Sequence, residues 1–116
     1  MSQPELKIEK DGTKHWYLNG KLHREDGPAV ENPDGIKLWY LKGELHREDS
    51  PAVEYANGGK RWYLNDKLHR EDGPAVEYAN GEKRWYLNGK SVSWKQVFKN
   101  AKTQEQELNI IIHALG

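Results

Sequence analysis

The sequence has no cysteine, no long apolar run and no excess of either charge. Without cysteine, the chain has no disulfide framework and no thiolate for catalysis or metal binding. The longest apolar run, near residues 110–112, is too short to span a bilayer, and residues 1–5 lack the apolar core of a signal peptide. Lys plus Arg and Asp plus Glu both number 18, which argues against general electrostatic attraction to nucleic acid or anionic membrane. We therefore expect a soluble, cytoplasmic protein with a single domain over residues 1–116.

What the sequence does contain is a repeat with a period of 23 residues. Trp-Tyr-Leu begins at residues 16, 39, 62 and 85, and Leu-His-Arg-Glu-Asp begins at residues 22, 45 and 68. A fixed period of this length is typical of stacked units, each of which buries its apolar face only against its neighbours. About four such units fill residues 6–90. Stacked units present a long regular surface, which favours binding of a partner over catalysis.

Three turn signals divide each unit into short strands. Asp-Gly or Asn-Gly pairs lie between alternating runs, and such pairs favour tight hairpins because Gly and Asn tolerate a positive φ. In the first unit this pattern predicts strands over Lys14–Leu18, Lys21–Arg24 and Ala29–Glu31. The predicted fold is mainly β: an elongated antiparallel sheet of meanders and hairpins in 23-residue repeats, with a small C-terminal helical cap.

Alternation along the Trp-Tyr-Leu strand assigns its residues to two faces. Trp and Leu share one face, and Tyr shares the other with the residue before Trp, which varies between units. We interpret the invariant Trp face as packed and the variable Tyr face as solvent or partner surface, since large aromatics supply most of what a small repeat can bury. The predicted structural ladder consists of Trp16, Trp39, Trp62 and Trp85.

The repeat ends after residue 90, and residues 91–116 have a helical pattern. Ser93 with Gln96, and Thr103 with Gln106, are capping-box pairs. Apolar residues follow each pair at the i, i+3, i+4, i+7 spacing of a helix, at 94, 97, 98 and 101 and at 108, 111, 112 and 115. Two short helices are predicted to cap the last unit, because terminal units of stacked folds must cover a bare core. A dimer seam, giving a homo-oligomer, or a partner-binding helix is the alternative.

The segments Leu-His-Arg-Glu-Asp-Gly-Pro-Ala-Val-Glu and Trp-Tyr-Leu-Asn-Gly-Lys resemble repeats of small bacterial and bacteriophage proteins. Those repeats are similar to the MORN-variant family, which includes proteins described as toxin–antitoxin repeat proteins. The resemblance covers roughly residues 6–90 and leaves the helical tail outside. It implies stacked β-hairpins in an elongated, twisted sheet, a protein-binding role and no catalytic residues. This chain is poorer in glycine than the usual pattern, which puts in doubt the membrane and lipid roles attached to that family.

The His-Arg-Glu-Asp motifs contain the residue types of acid–base and metal chemistry. They occur three times, whereas an active site needs one unique geometry, and histidines one repeat apart lie too far from each other to surround a single ion. We predict that Arg pairs with Glu or Asp of an adjacent repeat, that Asp begins the turn and that each histidine satisfies backbone groups. No catalytic, cofactor-binding or metal-binding residue is therefore predicted. The structural histidines are His23, His46 and His69.

The function that these patterns favour is that of a non-enzymatic scaffold binding another protein stoichiometrically. Inhibition of a host or cognate enzyme is the expected outcome, as in phage anti-defence (anti-CRISPR-like) proteins or antitoxins, inside a bacterial or phage-infected cell. The alternative is single-stranded nucleic-acid or glycan binding, because runs such as Lys60–Tyr63 interleave basic and aromatic residues. The candidate partner-binding residues are Tyr17, Tyr40, Tyr63, Tyr86, Arg61, Arg84, Lys95, Lys99 and Lys102.

Overall fold

The computed structural model describes residues 3–116, which form fourteen short β-strands followed by two α-helices. The strands are β1 (Glu5–Ile8), β2 (Lys14–Leu18), β3 (Lys21–Leu22), β4 (Val30–Glu31), β5 (Lys37–Leu38), β6 (Tyr40–Leu41), β7 (Glu44–Leu45), β8 (Val53–Glu54), β9 (Lys60–Arg61), β10 (Tyr63–Leu64), β11 (Lys67–Leu68), β12 (Val76–Glu77), β13 (Lys83–Leu87) and β14 (Lys90–Val92). The helices are α1 (Trp94–Lys99) and α2 (Gln104–Leu115). The predicted mainly-β meander with a small C-terminal helical segment is confirmed.

Ten strands form one antiparallel sheet, in the order β1-β2-β4-β5-β8-β9-β12-β13-β14 with β3 paired to β2. Each internal unit adds two strands to this sheet, so successive units lie about 10 Å apart along it. The chain measures 44 × 32 × 22 Å along its principal axes. The strands of the first unit are shorter than predicted, since the second ends at Leu22 instead of Arg24 and the third begins at Val30 instead of Ala29.

The two internal units bend their longest strand at the tryptophan. Trp39 donates its N–H to the Ala52 carbonyl (2.8 Å), and its own carbonyl accepts the N–H of His46 (3.0 Å). The residues before Trp39 therefore pair in the main sheet, whereas those after it form a separate hairpin, β6–β7. Hairpins of adjacent units are also linked, as where Arg24 N–H donates to the Tyr40 carbonyl (3.1 Å).

Two rows of side chains cross the main sheet at right angles to its strands. One row alternates in charge across seven strands, in the order Lys14, Glu31, Lys37, Glu54, Lys60, Glu77 and Lys83. The neighbouring row alternates valine with the residue that precedes each repeat tryptophan. Its order is His15, Val30, Leu38, Val53, Arg61, Val76 and Arg84. Adjacent residues of a strand point to opposite faces, so the charged row and the valine row lie on opposite sides of the sheet. Alternating opposite charges stabilise neighbouring strands.

Within the repeats the buried apolar positions are alanines and valines instead of tryptophans. The core consists of Ala29, Val30, Ala52, Val53, Ala75, Val76, Val97 and Ile110. Each repeat alanine is wholly buried because its backbone bridges two strands: Ala29 donates to the Leu38 carbonyl (2.8 Å) and accepts from Trp16 N–H (2.9 Å). A larger side chain at this fully covered position would have to displace its neighbours.

Tight turns of one type close the hairpin that follows each Trp-Tyr-Leu segment. Both central residues have a positive φ, as at Asn19 (53°) and Gly20 (76°), which is the type I′ geometry that matches strand twist. The second unit places Lys42 (φ 51°) where the other three units have asparagine. A lysine at a left-handed position is strained because its Cβ approaches the following carbonyl oxygen.

The substitution Lys42→Asn is expected to stabilise the protein by about 0.5 kcal/mol, because asparagine tolerates the left-handed backbone better than lysine does. For a chain of this size the gain corresponds to a melting temperature about 2 °C higher. Thermal unfolding followed by circular dichroism measures it. Lys21→Asn, an equivalent charge change on strand β3, is the control and should bring no gain.

Both helices begin at the predicted caps, but the buried face of α2 differs from the prediction. Ser93 Oγ accepts from Gln96 N–H (3.3 Å), and Thr103 Oγ1 accepts from Gln106 N–H (3.1 Å). Val97 and Ile110 are the buried residues of the two helices. The stripe of residues 108, 111, 112 and 115 points to solvent, because α2 packs through the adjacent face that carries Ile110. Within residues 3–116, neither helix is long and apolar enough to cross a membrane.

Candidate functional site

Each His-Arg-Glu-Asp histidine accepts a hydrogen bond from the next unit. The Nδ1 atom of His23 accepts from Lys42 N–H (2.9 Å), that of His46 from Asn65 N–H (3.1 Å), and that of His69 from Asn88 N–H (2.9 Å). All three donors belong to the type I′ turns, which leave these N–H groups outside the strand ladder. The three rings thus hold successive hairpins together.

The other ring nitrogen of each histidine faces a glutamate two residues later. The Nε2–Oε distances are 3.7 Å for His23–Glu25, 3.8 Å for His46–Glu48 and 3.2 Å for His69–Glu71. Because Nδ1 accepts a hydrogen bond, the neutral ring carries its proton on Nε2, toward the carboxylate. In the part of the chain that the structure describes, residues 3–116, no cluster of three potential metal ligands occurs.

The arginine of each motif stacks on the tryptophan of its own unit. The guanidinium carbon lies 3.9 Å from the ring centroid in Arg24–Trp16, 3.8 Å in Arg47–Trp39 and 3.9 Å in Arg70–Trp62. Distances below about 6 Å place the cation in the favourable field of the ring face. The three tryptophans are half-buried, and the arginine covers one face of each ring.

Carboxylates and a carbonyl of the same unit hold each guanidinium in place. Arg70 donates to Asp72 (2.9 Å) and to the Pro74 carbonyl (3.1 Å), and it lies 3.9 Å from Glu77. Arg47 contacts Glu54 (3.1 Å) in the same way. The prediction that Arg pairs with an adjacent repeat is therefore wrong, because the loop after Asp turns back over its own tryptophan.

This arrangement turns the cations inward and the carboxylates outward. The arginine side chains are only 10–31% exposed, whereas Glu25 and Glu48 are 83% and 78% exposed. One Glu-Asp pair per unit forms what we call the acidic ladder: Glu25, Asp26, Glu48, Asp49, Glu71 and Asp72. In the last pair Glu71 and Asp72 are less exposed, at 46% and 35%. A chain with zero net charge thus has a negative edge.

Open grooves separate the three loops of the acidic ladder. The first groove, about 840 Å³, lies between the loops of the first two units and is lined by Trp39 and Leu41 beneath the carboxylates. The second, about 370 Å³, is lined by Trp62 and reaches Gln106 of helix α2. The buried indole Nε1 of Trp62 has no hydrogen-bond partner among the described residues. Each groove combines an aromatic wall with a carboxylate rim.

The predicted partner-binding residues do not form one surface. The four repeat tyrosines are half-buried, contrary to the predicted exposed Tyr face, because hairpins of adjacent units pack beside them. Burial raises the pKa of the Tyr40 phenol, and the nearby Asp66 carboxylate adds to this shift. Among the other predicted partner-binding residues, Arg61 is half-buried, and the exposed ones are Arg84, Lys95, Lys99 and Lys102.

Two exposed tyrosines outside the predicted set lie on the valine side of the sheet. Tyr55 and Tyr78 are 38% and 39% exposed. Tyr78 lies between two guanidinium groups, 6.0 Å from Arg61 and 5.8 Å from Arg84. The sequence signal for them was the Tyr-Ala-Asn-Gly turn of the third and fourth units, which replaces Asn-Pro-Asp-Gly in the second. Alternation from buried Val53 places Tyr55 on the same face.

The fold and the acidic ladder define a β-repeat protein with a periodic, charge-segregated surface. No known family, curated protein or solved structure matches the chain. The resemblance to MORN-variant repeats stays a prediction.

Proposed function

We propose that this chain is a non-enzymatic scaffold that binds another protein stoichiometrically and inhibits it. The partner is expected to be a host or cognate enzyme in a bacterial or phage-infected cell, as for anti-CRISPR-like anti-defence proteins or antitoxins. The proposal keeps the protein-binding role and moves the contact surface from the repeat tyrosines to the acidic ladder.

The observation that carries the proposal is the partial burial of three arginines, 10–31% exposed, beside more exposed carboxylates in three corresponding loops. Burying a charged group requires compensation, and here a tryptophan face and internal carboxylates supply it. Asp26 and Asp72 of the ladder take part in this compensation, whereas Glu25, Glu48 and Glu71 make no contact with the arginines and remain available to a partner. Three such loops spaced about 10 Å apart suit a basic protein surface, because complementary charge increases the association rate and fixes the register of docking.

The repetition itself supports binding over catalysis. The histidines of the three His-Arg-Glu-Asp motifs make the same backbone contact in each unit, and each faces the glutamate of its own motif, so none of the three is singled out as a site. A periodic surface gives a partner several weak, equivalent contacts, whose summed affinity is high only when the partner presents matching groups at the same spacing.

The test uses the tagged chain to capture protein from a bacterial lysate, followed by identification and purification of the captured partner. Size-exclusion chromatography with light scattering then measures stoichiometry, and an assay of the partner measures inhibition. We expect a defined stoichiometric complex, and we expect the triple variant Glu25→Gln, Glu48→Gln, Glu71→Gln to weaken it at least about tenfold.

The matched control is the triple variant Glu44→Gln, Glu82→Gln, Glu105→Gln, which removes the same charge from exposed positions outside the ladder. It should bind as tightly as the unmodified chain. Equal loss of affinity in both variants would mean that net charge matters instead of the ladder. Failure to retain any protein at stoichiometric amounts would contradict the binding role.

Single-stranded nucleic-acid binding is the second candidate, favoured by the position of Tyr78 between Arg61 and Arg84. An exposed ring flanked by guanidinium groups provides both base stacking and phosphate contacts. Fluorescence anisotropy with labelled single-stranded DNA at two salt concentrations distinguishes the candidates. Salt-sensitive binding that Tyr78→Ala abolishes, and that the ladder variant preserves, would support this alternative.

A further inference from the structure

Helix α2 has an apolar face that the rest of the chain leaves uncovered. Its Ile110 side chain is completely buried, whereas Leu108, Ile111, Ile112 and Leu115 are 59%, 36%, 57% and 77% exposed. The four exposed residues follow the spacing of one helix face, i, i+3, i+4 and i+7. We call them the α2 stripe. The helix is thus apolar on two sides but packs on only one.

The α2 stripe has the same pattern in both chain directions. Read from either end, it is Leu, two residues, Ile-Ile, two residues, Leu. A two-fold axis perpendicular to the helix, between Ile111 and Ile112, would place Leu108 of one copy against Leu115 of another. The same axis would place Ile111 against Ile112. Across that axis each side chain meets its own kind, Leu against Leu and Ile against Ile, in the reciprocal pairing of an isologous contact between identical chains.

We propose that the α2 stripe is a self-association surface, on which a second copy of this chain docks with its α2 antiparallel to the first. The proposal is independent of the proposed function, because the stripe lies on the helical tail and contains no residue of the acidic ladder.

The charges around α2 favour the antiparallel orientation. Its acidic residues, Glu105 and Glu107, lie in the first turn. Antiparallel docking places the two acidic ends at opposite ends of the contact and opposes the helix dipoles, whereas parallel docking would bring like charges together. His113, the only titratable residue between positions 108 and 115, turns toward Glu77 (3.7 Å) on the chain's own sheet. No charge therefore interrupts the stripe.

The helix is also held firmly enough to present the stripe in one orientation. The Lys83 ammonium donates to the His113 carbonyl (2.9 Å) at the end of α2, and the buried Ile110 anchors the middle of the helix. A rigid contact face loses less conformational entropy on association than a mobile one.

The size of the stripe sets the strength expected of the dimer. Four partly exposed aliphatic side chains form a patch on the order of 400 Å². This is about half of the roughly 800 Å² that each partner contributes to a standard stable interface. We therefore infer a reversible dimer that forms as concentration rises, with a dissociation constant on the order of 100 μM.

Analytical ultracentrifugation of the full chain from about 10 μM to about 1 mM tests the proposal. We expect the mass to rise from one chain toward two. The variant Ile112→Glu should remain at one chain throughout, with an unchanged circular dichroism spectrum, because position 112 does not contribute to the core. The control Ile8→Glu changes an isoleucine of similar exposure (59%, against 57% for Ile112) on the edge strand β1 and should dimerise as the unmodified chain does.

The orientation of the two α2 helices is tested by disulfide cross-linking. The chain has no native cysteine, so only the introduced cysteines can form a disulfide. Leu108→Cys and Leu115→Cys chains, mixed and oxidised at about 1 mM, should form the mixed disulfide in preference to either homodimer. Preferential homodimers of Leu108→Cys would overturn the antiparallel arrangement. A mass of one chain up to about 1 mM, or dimerisation lost in Ile8→Glu but kept in Ile112→Glu, would overturn the proposal itself.

Discussion

Replacing Trp62 with alanine is expected to lower the free energy of unfolding by about 3 kcal/mol. The ring is half-buried, so the loss of apolar burial lies near the lower end for tryptophan. The substitution also removes the face on which Arg70 stacks at 3.9 Å. A partly buried guanidinium would then face the space left by the indole. For a small domain this is a large part of the total stability.

Urea unfolding followed by circular dichroism measures this loss. A double-mutant cycle with Arg70→Met separates the stacking contribution from the burial of the ring, since methionine keeps the chain length without the charge. We expect a coupling of about 1 kcal/mol between the two positions. Coupling near zero would show that the guanidinium only lies beside the ring, and an unchanged stability of Trp62→Ala would contradict the structural role of the tryptophan ladder.

The second large effect is expected at Ile110, the wholly buried residue of helix α2. Ile110→Ala should lower the free energy of unfolding by about 3 kcal/mol, because it removes three carbon atoms from a packed site and leaves a cavity. The helical tail would then dock weakly on the last unit and expose the strands that it covers. Exposed sheet edges recruit other chains, so we also expect aggregation on heating.

Ile112→Ala is the matched control, two positions away on the same helix and 57% exposed. Like Ile110→Ala, this substitution replaces isoleucine with alanine in the same helix, so the loss of side-chain atoms and the change in helix propensity are the same. It should alter the free energy of unfolding by less than about 0.5 kcal/mol. Both variants are compared at about 10 μM, below the concentration at which self-association is expected. Equal effects of the two substitutions would contradict the assignment of the buried face.

Much of the candidate site was predictable from the motifs, but its arrangement in space was not. The sequence indicated that His46 satisfies a backbone group, because its motif occurs in three successive units. It did not show which backbone group that is: the N–H of Asn65, in a turn nineteen residues later, which donates to His46 Nδ1. The pairing of Arg47 with Glu54 within one unit (3.1 Å) was also missed, since strand and turn assignments do not show how a loop folds back over a ring.

The sequence alone determined the period, the turns and the starts of the helices, because each depends on residues close together in the chain. Asn-Gly pairs favour the type I′ backbone wherever they occur, and Thr103 caps α2 through an atom three residues away. The tertiary structure decided which side chains are covered. Ile110 and Ile112 are equally apolar and both fit a helical stripe, so the choice between them depends on where the last unit lies. The same reason places the small alanines in the core and the carboxylates of the acidic ladder in solvent: burial is set by distant strands that pack together, and no local pattern contains that information.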